Sequence, residues 1–141
     1  MSLDDNLDQL LTNLRLKKIK EVLPFEMKRA MDRQSSYNEF LARLLREQYL
    51  YRQERSLIYR VEQAKLPQRW SLETFPFKLQ AGVSPKIIHQ LAELEFVARA
   101  ENIVFIGDTG VGKSGLATGI LLKALTNGYR GLFIKAQDLF D

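Results

Sequence analysis

The residues best suited to chemistry lie in one run: Gly107, Asp108, Thr109, Gly110, Val111, Gly112, Lys113 and Ser114. They match G-x-x-x-x-G-K-[ST], the pattern of a loop that cradles phosphate. The glycines let the backbone turn tightly and approach phosphate oxygens with no Cβ in the way. Successive N–H groups then point inward as an anion nest, and the following helix adds its unpaired N-terminal donors. Lys113 would place an ammonium on the β- and γ-phosphates, and Ser114 would offer a hydroxyl to Mg2+. The bland alternative is a chance glycine-rich turn, so the flanking elements decide.

Those flanks favour the loop. Asn102, Ile103, Val104, Phe105 and Ile106 form an apolar, β-branched run, as a buried parallel strand does. Residues 116–125 read as a helix, with Gly128 as its C-terminal cap. The motif therefore sits at a strand-to-helix turn. Residues 132–135 are a second candidate strand, and Gln137, Asp138, Leu139 and Phe140 open another helix.

Upstream the pattern is helical. Leu3, Leu7, Leu10, Leu11 and Leu14 recur at spacings of three and four, one apolar helix face, with Asp4, Asp5 and Asp8 in its first turns. A second helix runs from about residue 16 to 32, and Pro24 either kinks it or starts a new one. Ser36 followed by Glu39 is a capping box, which predicts a long helix to about Ala64. Phe40, Leu41, Leu44, Leu45, Leu57, Ile58 and Val61 are the candidates for its buried stripe. Its other face carries Arg43, Arg46, Arg52, Arg55, Arg60 and Lys65, interrupted by Glu47, Glu54 and Glu62. Two readings fit that face: a solvated surface with local Arg–Glu pairs, or a phosphate-contacting surface for DNA with Tyr37, Tyr49, Tyr51 and Tyr59 interleaved. From residue 66 to 82 the chain is punctuated by Pro67, Pro76 and Gly82. Its Trp70, Phe75 and Phe77 predict a linker docked through aromatics. Ser84 and Pro85 then read as N-cap and first residue of a helix using Ile87, Ile88, Leu91 and Leu94, with Val97 a further candidate.

Composition narrows the chemistry. The 141 residues are 45% hydrophobic and 27% charged, as in a soluble globular protein. With no cysteine there is no disulfide scaffold, cysteine-ligated zinc, iron–sulfur cluster or thiol nucleophile. That fits a cytoplasmic protein, as does an acidic N-terminus with no signal pattern. No apolar run approaches the roughly 18 residues of a membrane span. The lone His89, among Ile87, Ile88 and Leu91, reads as a helix-face residue rather than a ligand. The formal net charge of +4 lies wholly within residues 1–100, and residues 101–141 are neutral, which suggests two regions with different partners.

The chain resembles the IstB family of transposition helper ATPases, relatives of the DnaC-type helicase loaders. The likeness rests on Leu14-Arg15-Leu16, on Phe40-Leu41-Ala42-Arg43-Leu44-Leu45-Arg46-Glu47 and on Ala64-Lys65-Leu66-Pro67. It continues through Ser71-Leu72-Glu73-Thr74-Phe75-Pro76-Phe77, the run from Asn102 into the loop, and Ala136-Gln137-Asp138-Leu139. It implies an α-helical N-terminal region followed by the first part of an α/β P-loop NTPase domain of AAA+ type, its parallel sheet incomplete. The implied divisions are a helical domain over 1–65, a linker and helix over 66–100, and a partial AAA+ domain over 101–141. It implies that residues 107–114 bind ATP with Mg2+ on Ser114, and that the partners are DNA and a transposase, with self-assembly on DNA in the full-length family. Ser114 stands where the family often has threonine, and Gly115 where a larger residue is common. The family continues with a Walker B acidic pair, a sensor and an arginine finger. Only 27 residues follow Ser114. The expectation is therefore a fragment with weak hydrolysis and no assigned catalytic residue, whose first strand lacks sheet neighbours.

Three classes of function follow. The first is a transposition ATPase fragment, with a helicase-loader fragment as its close variant. The second is a helical DNA- or protein-binding module with an inert nucleotide half. The third is a small P-loop kinase, which needs downstream catalytic residues that this chain has no room for.

Overall fold

A computed structural model describes residues 4–141. Leu3 of the first apolar face lies outside the described residues. The chain divides into two compact units, Met1–Ser56 and Leu57–Asp141.

The first unit holds α1 (Asp5–Asn13), α2 (Lys17–Arg33) and the larger part of α3 (Tyr37–Ala64). The Asp4 side chain caps α1 by accepting from the Asn6 N–H, with Asp5 and Asp8 in the first turn. Pro24 lies inside a single α2, where its missing N–H leaves the carbonyl four residues back without a helical donor. The capping box forms both of its bonds: Glu39 N–H to Ser36 Oγ at 3.2 Å and Ser36 N–H to Glu39 Oε2 at 3.0 Å. Leu11, Ile19, Leu23 and Leu44 make the core. The predicted α3 stripe is largely not buried. Leu41, Leu45 and Ile58 are exposed, Phe40, Leu57 and Val61 are half-buried, and Leu44 alone is buried. Much of this face of the 28-residue α3 stays uncovered, and the polar Gln48 takes a buried place on it. The α1 stripe behaves alike, since Leu11 is buried while Leu7, Leu10 and Leu14 are exposed.

The second unit starts from the end of α3 and continues through two 3₁₀ turns, Leu72–Thr74 and Phe77–Leu79. Then come α4 (Pro85–Ala92), α5 (Glu95–Ala98), α6 (Lys113–Thr126) and α7 (Ala136–Leu139). Ser84 precedes α4 with Pro85 at its start, although the Ser84 side chain makes no cap bond. The predicted run to Val97 is broken, because Leu94 turns left-handed (φ 65°) between α4 and α5 and buries its own side chain. Gly128 (φ 93°) closes α6 as predicted. Its N–H donates to the Leu125 carbonyl at 3.2 Å, and the Tyr129 N–H to the Ala124 carbonyl at 3.0 Å, the paired bonds of a Schellman motif.

Neither predicted strand forms, so the expected sheet is absent among the described residues. A strand exists through ladder bonds to a neighbour, and the run 102–106 has none. Nor is the run buried on both faces, as a buried parallel strand would be. Ile103 and Phe105 pack on the core of Leu72, Phe75, Ile88, Leu94, Leu116 and Ile120, while Val104 and Ile106 are 77% and 93% exposed. The run 132–135 uses its Phe133 N–H on the Ala64 carbonyl at 2.8 Å, a single bond to a helix end.

Candidate phosphate-binding site

The loop emerges from the run 102–106 and ends in α6, whose first residue is Lys113. Two glycines make the turn. Gly110 (φ +84°) and Gly112 (φ +95°) both occupy the left-handed region that L side chains rarely adopt. Among the described residues, nothing accepts a hydrogen bond from the backbone N–H groups of residues 107–115. Gly112 places no side chain over the start of α6, so the helix's first donors remain open. Such a row of free N–H groups at a helix N-terminus is an anion nest.

Lys113 folds its chain back along the loop. Its ammonium donates to the Gly107 carbonyl and to the Asp108 carbonyl, the second at 2.6 Å. A fixed positive charge thus sits within the turn of free donors. The Ser114 hydroxyl is exposed and has no hydrogen-bond partner among the described residues, while its carbonyl accepts from the buried Thr118 hydroxyl at 2.7 Å. The Asp108 and Thr109 side chains are exposed, and Val111 is half-buried. All eight predicted residues therefore stand in one turn, and the loop carbonyls are held by Lys113 rather than by a neighbouring strand.

What braces the loop was only half legible in the sequence. The aromatic linker docks as its composition predicts, and its partners are the glycines. The Phe75 ring lies against Gly112, where an added Cβ would come 2.9 Å from Phe75 Cζ. Both Phe75 and Trp70 approach Gly115, 3.6 and 3.7 Å from an added Cβ. Leu72 fills the hollow at Gly119, 2.7 Å from an added Cβ. Gly115 is therefore a contact surface. The sequence signal for this pairing is the spacing of Leu72 and Phe75 against small residues three and four apart on α6, and it is weak without the fold.

The arginines of α3 divide. In the first unit Arg43 pairs with the buried Glu26 at 3.1 Å and donates to Ser35 Oγ, and Arg52 donates to the Arg15 carbonyl at 3.4 Å. In the second, Arg60 donates to the Leu125 carbonyl at 3.0 Å. Arg46 and Arg55 have no partner, and no Arg–Glu pair forms along α3 among the described residues. His89 is exposed at the end of α4, its ring 6.0 Å from that of Phe77, and the described residues hold no cluster of metal-ligating side chains. No helix among them is long and apolar enough to cross a membrane.

Comparison with known proteins agrees with this geometry. The profile of IstB-like ATP binding proteins matches residues 9–141. The chain is 42% identical over 106 residues to a protein of Geobacillus stearothermophilus described as ATP-binding from insertion sequence IS5376, covering 75% of this chain and 42% of that one. It is 35% identical over 133 residues to the corresponding IS21 protein of Pseudomonas aeruginosa, covering 94% and 50%. An IS21-like counterpart from Bacteroides fragilis is 30% identical over 128 residues, covering 91% and 64%. The chain thus spans about half the length of these relatives.

Proposed function

Since the chain belongs to the family of IstB-like ATP binding proteins, we infer that it binds Mg–ATP at residues 107–114 and serves insertion-sequence transposition, acting on DNA with a transposase. The observation that carries this reading is the row of unpaired N–H groups at 107–115 closing around the Lys113 ammonium. A polyanion such as a triphosphate can accept from many of these donors at once. Gly107, Asp108, Thr109, Gly110, Val111 and Gly112 supply backbone donors, Lys113 the charge, and Ser114 Oγ the free oxygen for Mg2+. The metal's part is to neutralise phosphate charge. The residues present bind and position, and we assign no catalytic residue, because hydrolysis also needs groups that orient water. In this reading 101–141 is the opening of the AAA+ domain, 66–100 its linker and brace, and 1–65 a helical domain that engages DNA or a partner. Self-assembly on DNA belongs to the same proposal.

The test is calorimetric titration of the 141-residue chain with Mg–ATP, beside Lys113→Ala. Binding by the parent that disappears in the variant is the expected result. A helical, soluble parent that takes no Mg–ATP overturns it.

A second reading, a helical DNA-binding module with an inert nucleotide half, is favoured by the unpartnered Arg46 and Arg55 and the exposed Tyr37 and Tyr49. Its signature is DNA affinity that falls steeply with salt in both the parent and Lys113→Ala.

A further inference from the structure

The run 102–106 keeps its backbone unpaired. Among the described residues, no N–H or C=O group from Asn102 to Ile106 takes part in a hydrogen bond. Four of these five residues are apolar and none is charged. Ile103 and Phe105 are fixed on the core while Val104 and Ile106 stand exposed, so little backbone order remains to be created if a strand pairs here. An apolar edge with open donors and acceptors is a template for another strand. The inner side is open as well. A cleft of about 370 Å3 lies beside Ile103 and Phe105, with Phe96, Leu121 and Tyr129 among its other walls. Only Glu101, Asn102, Arg130 and the Tyr129 hydroxyl bring polar side-chain atoms to it.

We propose that this run pairs with the same run of a second copy of the chain, as an antiparallel two-stranded ladder about a two-fold axis through Val104. The inference stands apart from the nucleotide- and DNA-binding reading, and the pairing needs neither ligand. Self-complementarity selects a second copy, because a two-fold antiparallel pair sets each copy's donors against the other's acceptors. The register centred on Val104 is the symmetric one that ladders all five residues. It is also free of like-charge pairs: Glu101 falls opposite Gly107 of the partner subunit, and Asp108 opposite the partner subunit's Ala100. Residues 101–141 carry no net charge, so they raise no long-range repulsion between copies. In this register Ile103 meets the partner subunit's Phe105 on the inner side, a β-branched–aromatic pair formed twice, and the cleft gives these side chains room. On the outer side Val104 meets Val104 of the partner subunit.

The experiment is sedimentation velocity of the 141-residue chain without nucleotide or DNA, which should show a dimer that grows with concentration. Hydrogen exchange at the 102–106 amides should slow as the dimer forms. Val104 is 77% exposed, so replacing it leaves the core in place, and circular dichroism checks this. Val104→Lys should weaken the dimer about tenfold or more, because two ammonium groups then branch from Cβ atoms about 5 Å apart. Val104→Glu should act alike. Mixed in equal amounts, with one isotope-labelled, the two variants should form the mixed dimer in excess over either homodimer by native mass spectrometry. Leu41→Lys, on the exposed flank of α3 in the first unit, should leave the dimer unchanged. A parent that stays monomeric up to about 1 mM overturns the proposal. So does a Val104→Lys chain that dimerises as the parent does, or a failure of the lysine and glutamate variants to pair. If Leu41→Lys separates the copies and Val104→Lys does not, the copies meet through α3 and the proposal falls.

Discussion

The docking of Leu72 into α6 is the contact that carries Phe75 under the phosphate loop, and a double-mutant cycle measures it. Gly119 is buried in the middle of α6. Replacing it with alanine should gain about 0.8–1.0 kcal/mol of helix propensity. In the parent, however, the new methyl would stand 2.7 Å from Leu72 Cδ2 and 3.1 Å from Leu72 Cγ, with the Leu72 backbone N 3.5 Å away limiting retreat. Overpacking of this kind costs about 1–3 kcal/mol, so Gly119→Ala alone should destabilise by up to about 2 kcal/mol. Leu72→Ala alone should cost about 2–5 kcal/mol, since Leu72 is 5% exposed in the core. In that background both clashing carbons are gone, and only the backbone N at ordinary contact distance remains. Gly119→Ala should then stabilise by about 1 kcal/mol. The coupling is the steric term alone, about 1–3 kcal/mol. Urea unfolding of the four proteins, followed by circular dichroism and Trp70 fluorescence, reads it. Effects that add to within about 0.5 kcal/mol would refute the packing of residues 71–75 on α6.

Three further outcomes follow from single side chains. Gly112→Ala combines a left-handed residue (φ +95°) with a Cβ 2.9 Å from the Phe75 ring. It should abolish Mg–ATP binding with most of the helical dichroism intact. Gln48→Leu removes the buried oxygen that accepts from the Lys18 and Ile19 N–H groups at 2.9 and 3.1 Å. Leaving those donors unpaired should cost about 1–3 kcal/mol in a thermal or urea melt. The Glu73 carboxyl is held below the ordinary glutamate range, chiefly by the Ser71 hydroxyl that donates to it and also by its own backbone N–H. Its small contribution is complete above the unfolded glutamate value and fades as pH falls through the lowered one. Carboxyl NMR of Ser71→Ala should show the Glu73 midpoint moving up, and an unmoved midpoint would remove Ser71 as the cause.

Features carried by near neighbours were legible in the residues. The Ser36–Glu39 box, the Gly128 closure of α6 and the turn made by Gly110 and Gly112 each depend on groups a few positions apart, so residue type alone determines them. What the tertiary structure decided are the pairings between distant segments. Gln48 of α3, not Leu16 beside it, satisfies the first amides of α2. Phe75 and Leu72 choose Gly112 and Gly119 as their hollows. The runs 102–106 and 132–135 form no strand, although their composition suits one. Local pattern states which side chains seek cover and which backbone can turn. Whether a ladder or a cover exists depends on a second segment, whose position no periodicity encodes.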